Sequence, residues 1–131
     1  MPTRHATGSF TVKMRPPTAP PAPGEFVRLR LDKVFEGPLA GTSEVDMLAS
    51  NAGDQPSGGY VALERFTGTL EGRRGTFVMQ HSGTMSPGKM QIDVRLTPGS
   101  GTGELAGIEG TLAIRIEGKA HYYDLQYTLP Q

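Results

Sequence analysis

Four polar residues, Glu64, Arg65, Gln80 and His81, stand in mid-segment between Gly59 and Met85, among Val, Leu, Phe, Thr and Met. Polar groups in turns are ordinary. In mid-strand, where successive side chains point to opposite faces, they can be aimed at an interior. A carboxylate in a partly dry interior has its pKa raised, and a histidine titrates near neutrality without help, so Glu64 and His81 are the candidate catalytic acid and base. Tyr60, Ala62, Glu64 and Phe66 share one face against Val61, Leu63 and Arg65, and Val61 and Leu63 read as core. In the next segment Thr76, Val78, Gln80 and Ser82 oppose Phe77, Met79 and His81. Alternation alone does not say which face is inward. Glu64 also has a plainer reading, as an ion-pair partner of Arg28 or Arg30 across a sheet.

The last segment sets His121, Tyr123, Leu125 and Tyr127 on one face and Tyr122, Asp124 and Gln126 on the other. Rings with a polar tip suit a pocket wall and suit a subunit interface equally well. Tyr60, Gln80, Phe66, His121 and Tyr123 are therefore the candidate substrate-binding set. Glu44 and Asp46 share a face about 6 to 7 Å apart, which on an outer surface is a solvated pair. A nucleophilic triad is not expected: there is no cysteine, and Ser82 points away from its neighbour His81. His5, His81 and His121 lack metal-ligand spacing, and although His81, His121 and Glu64 could in principle assemble around zinc, no metal is expected. Gly101-x-Gly103 lacks the flanking strand, helix and third glycine of a dinucleotide loop, so no cofactor is expected either.

Strands must position these groups. The 18 glycines among 131 residues recur as punctuation rather than as one linker, and Val, Ile, Thr, Phe and Tyr fill the intervals with almost no helical periodicity. Strands are expected at 8–14, 25–35, 42–49, 60–67, 76–83, 89–97, 111–117 and 120–129, with a glycine-bearing connection at 68–75 and a flexible polar loop at 51–59. The proline-rich stretch at 15–24 forbids a ladder and reads as a semi-rigid crossover rather than an SH3-type ligand. Met90, Ile92, Val94 and Leu96 face inward in the cleanest alternation of the chain. Evenly spaced short strands imply a sandwich or a closed barrel, and residues 1–131 form one domain. Thirteen basic and thirteen acidic residues cancel, so no field favours nucleic acid. No apolar run reaches the roughly 20 residues of a membrane helix, so no membrane partner is expected and the chain reads as a cytoplasmic protein.

Three separated stretches carry a resemblance: Gly59 to Met85, Val94 to Gly110 with its Pro-Gly-Ser-Gly-Thr-Gly-Glu-Leu-Ala-Gly, and the closing His121-Tyr-x-Asp-x-x-Tyr127. Over residues 8–129 the chain resembles the bacterial DUF3224 proteins. The resemblance implies a small closed antiparallel β-barrel of about eight strands, similar to allene oxide cyclase, whose relatives hold apolar or polyenic molecules inside the barrel and steer cyclisation. It implies a homo-oligomer that binds a small apolar molecule, either as a cofactor-independent isomerase, cyclase or lyase or as a non-catalytic carrier.

Overall fold

A computed structural model describes residues 2–16, 22–51 and 55–130. Eight strands run β1 (Arg4–Met14), β2 (Val27–Glu36), β3 (Leu39–Ala49), β4 (Gly58–Leu70), β5 (Arg73–Ser86), β6 (Lys89–Leu96), β7 (Glu109–Glu117) and β8 (Ala120–Thr128), with one 3-10 turn at Gly103–Leu105. Each pairs antiparallel with the next, and β8 returns to β1, closing the barrel. Closure covers the strand edges around most of the barrel, which is how so strand-rich a chain limits edge-to-edge association. The ladders are long except between β6 and β7, which share the single register pair Arg95↔Thr111. No helix of the described residues is long and apolar enough to cross a membrane.

Strands β1, β3, β4, β5 and β7 exceed their expected lengths, and in β4 and β5 this is because glycine does not stop them. Gly68 and Gly75 lie inside the β4–β5 ladder and face each other across it. The turn itself is Glu71–Gly72, both with positive φ, 48° and 84°. This is the twist a two-residue hairpin needs, and Glu71 tolerates it because its carboxylate accepts the Tyr127 hydroxyl and its N–H donates to the Pro38 carbonyl. Of the proline-rich stretch, residues 17–21 lie outside the described residues, as do 52–54 of the polar loop.

The interior is divided. Toward one end Phe10, Phe35, Leu39, Phe66, Leu70, Phe77, Met79, Leu96 and the Tyr123–Tyr127 face form the main core, plugged by Leu105 and Ile108 from the loop after β6. Phe66 and Phe77 stack at 5.0 Å. Toward the other end a smaller cluster, Leu31, Val45 and Ala62, packs with Met47 and Tyr60. Between the two, on four successive strands, the inward positions are polar: Lys33 lies between Leu31 and Phe35, Ser43 between Gly41 and Val45, Glu64 between Ala62 and Phe66, and His81 between Met79 and Gly83.

Candidate functional site

The phase of β4 decides the site. Glu64 is wholly buried, whereas Val61 and Leu63 are each 57% exposed on the outer surface, the reverse of the core assignment that their apolar character suggests. Burying a carboxylate while exposing two aliphatic side chains is tolerable only if the charge is matched inside. The match is made at one oxygen. Lys33 Nζ donates to Glu64 Oε1 at 2.9 Å, and His81 Nε2 lies 2.7 Å from the same oxygen. Lys33 also stands over the Phe10 ring, 5.0 Å from its centroid. Both partners are nearly buried, at 7% exposure each.

Burial pushes the Glu64 carboxyl up, but the His81 hydrogen bond and the Lys33 charge outweigh it and hold the group below the ordinary carboxylate value. This corrects the sequence expectation of a raised pKa. The expectation counted desolvation and missed the lysine, although the alternation Leu29, Leu31, Lys33, Phe35 places it on the same face. Because Glu64 is the ionised partner, it can only accept, so Nε2 of His81 carries the proton and a neutral ring keeps its lone pair on Nδ1. The arginines proposed from the sequence do not reach Glu64: Arg28 grips Asp46 through two bonds, and Arg30 is exposed on the same outer face.

Two buried polar atoms in this layer have no hydrogen-bond partner: Glu64 Oε2 and Ser43 Oγ. Both donors of the cluster, Lys33 Nζ and His81 Nε2, therefore converge on Oε1, and Oε2 receives neither. Beyond the small apolar cluster the barrel wall continues but is not filled. Val12, Met14, Met85, Met90 and Ile116, inward by the same alternation that buries Phe10, Phe77, Val94 and Leu112, are 39 to 55% exposed. Ile92 and Ile114 below them are half-buried. The result is an apolar cup at one end of the barrel, with the polar layer buried just beneath the Leu31, Val45 and Ala62 cluster at its base.

The other expected site residues divide by position. Tyr60 is on the cup, half-buried, its ring lying against Gly83, where a Cβ would overlap it. Burial and the Glu64 charge together raise its phenol pKa. His121 is on the inner wall too, its ring 5.3 Å from that of Phe10 and so one ring removed from Lys33. Phe66 and Tyr123 are inward but belong to the packed end. The Tyr123 hydroxyl accepts from the Leu39 N–H and donates toward the Glu36 and Leu39 carbonyls, which makes it a brace between β8 and the β2–β3 turn. Gln80 is corrected to the outer face. It is exposed, accepts from Thr97 Oγ1, and lines an open groove of about 1230 Å3 with Leu48, Val61 and Leu63, a groove that also reaches Ala62, His81 and Ile92. Gln80 and His81 are sequence neighbours, and period two must separate them. Among the described residues no three His, Cys, Asp or Glu gather to hold a metal ion.

Residues 6–127 match the family of proteins of unknown function DUF3224. The chain belongs to the DUF3224 family. A crystal structure of a DUF3224 protein of unknown function from Shewanella oneidensis MR-1 is similar, at 38% sequence identity and a TM-score of 0.86, with 99% of each chain covered. No curated protein matches. The similarity spans nearly the whole chain and names no chemistry, which rests on the inner wall of this barrel.

Proposed function

We propose that this DUF3224 barrel admits a small, largely apolar molecule through its open end and moves one proton on it, as a cofactor-independent isomerase, cyclase or lyase. The observation that carries the reading is the Lys33–Glu64–His81 cluster: a buried charged group set beneath an apolar cup whose wall residues are left half-exposed. A packed barrel would have placed Leu or Val at these positions at no desolvation cost. In the proposed step His81 is the proton carrier, using Nδ1, while Glu64 fixes the ring and balances the imidazolium that forms. Lys33 keeps Glu64 ionised and offers its remaining N–H groups to a developing negative charge. The apolar wall supplies orientation by shape.

A second reading is a carrier that binds the same class of molecule without changing it. It is favoured by the depressed carboxyl of Glu64, which makes that group a weak base and a poor acid near neutrality. Native mass spectrometry of protein purified without denaturant, followed by incubation of any extracted molecule with wild type, His81→Ala and Glu64→Gln, separates the two. An enzyme converts the molecule and loses that in His81→Ala while still binding. A carrier returns it unchanged from all three. A chain that holds nothing, and takes up none of a panel of apolar metabolites, contradicts both.

A further inference from the structure

We propose that the molecule taken by this cup bears a hydroxyl group, as an alcohol, phenol or enol, and that the hydroxyl is seated between Glu64 and Ser43. The proposal rests on the cup reading above and adds the chemistry of the head group. Its basis is the pair of buried polar atoms without partners, Glu64 Oε2 on β4 and Ser43 Oγ on β3, in the same polar layer. An ionised carboxylate oxygen can be satisfied only by a donor, and a bare one in a dry interior is costly.

The neighbours narrow the donor. An ammonium head would bring a second cation beside Lys33, whose charge already balances Glu64. A carboxylate head would set an anion against Oε2 and donate nothing. Ethers and carbonyls accept only, so they leave Oε2 as it is. A hydroxyl donates its one hydrogen to Oε2 while its oxygen accepts from Ser43 Oγ–H, and it satisfies both orphans without adding charge. The apolar wall of Met14, Met47, Met85, Met90, Ile92 and Ile114 then covers the carbon skeleton, and methionine suits an irregular one.

The test is a matched series at neutral pH: β-naphthol, its methyl ether and naphthalene, each competing with an apolar fluorescent probe, N-phenyl-naphthylamine. The expected result is that naphthol binds about tenfold or more tightly than the ether, because the ether strands Oε2. Glu64→Gln, which places an amide N–H₂ where Oε2 was, should erase that difference. Ser43→Ala leaves the ion pairs intact and should weaken naphthol and ether alike, which keeps the test valid if the Glu64 variant does not fold. Equal binding of naphthol and ether overturns the head-group proposal and leaves the cup standing, as does a naphthol preference that survives Glu64→Gln or Ser43→Ala binding like wild type. Displacement by none of the three, with no probe binding, removes the cup itself.

Discussion

Replacing Lys33 by Met should reverse the sign of the pH dependence that Glu64 gives to folding. The substitution keeps an apolar stem beside Phe10 and removes only the cation 2.9 Å from Oε1. The carboxylate, at 0% exposure, is then left with His81 alone. Breaking a buried ion pair on one side costs about 3 to 5 kcal/mol. Against a typical domain stability of about 5 to 15 kcal/mol that is a large share, and it corresponds to a drop in Tm of roughly 10 °C or more. In wild type the folded-state carboxyl lies below its ordinary 4.5, so its contribution is present above about that pH and is lost as the pH falls through the folded value. In Lys33→Met burial dominates and the folded value rises, so the penalty is absent below pH about 4.5 and grows as the pH rises through the new folded value. The stability gap between the two proteins should be widest near pH 7 and should shrink toward pH 4. Urea unfolding followed by circular dichroism measures it, the chain having no tryptophan. Lys33→Met/Glu64→Gln, which removes both charges, should recover more than half of the loss at pH 7. A gap under about 1 kcal/mol, or one that does not change with pH, would refute the claim that Lys33 keeps Glu64 ionised.

Tyr123→Phe should lower stability by about 1 to 3 kcal/mol through the unsatisfied Leu39 N–H, while leaving probe binding in the cup unchanged; thermal melts beside a probe titration check both. Gly83→Ala should displace the Tyr60 ring and cost about 1 to 3 kcal/mol, and it should weaken probe binding because Tyr60 is part of the cup wall. Leu63→Asp should change stability by no more than about 0.5 kcal/mol, since Leu63 is exposed; a loss of several kcal/mol in a urea titration would show that this face is covered.

Period two made most of the barrel legible before any coordinates. The inward set Met90, Ile92, Val94 and Leu96 of β6 and the His121–Tyr127 face of β8 follow from alternation, and the closed antiparallel arrangement follows from the number and spacing of such segments. Alternation has two phases, however, and β4 shows how hydrophobicity misassigns them: Val61 and Leu63 read as core by their apolar character, yet Glu64 holds the inner face. What makes it tolerable is Lys33, 31 positions away on β2 and brought close only by the β2–β3–β4 register. The signal was available in Leu29-x-Leu31-x-Lys33-x-Phe35, an apolar face interrupted by one cation, which is the mirror of Glu64 between Ala62 and Phe66. Ser43 carried no such signal, because a serine in a strand is ordinary until its partners are counted. Gln80 shows the limit in the other direction. Adjacent to His81 in sequence, it joined the candidate site by proximity, and the pleat places it on the opposite side of the wall.

A binding cup at the open end of the barrel, above Lys33, Glu64 and His81, makes one sharp demand on ligand uptake. N-phenyl-naphthylamine titrated into wild type, Met90→Asp and Leu63→Asp checks it, because Met90 is inward on the cup wall and Leu63 lies on the outer groove, which Met90 does not line. Saturable binding of one probe per chain, abolished by a charge at Met90 and untouched by a charge at Leu63, is the expected result. Binding that survives Met90→Asp and disappears in Leu63→Asp would place the apolar site on the outside of the barrel and rule the cup out.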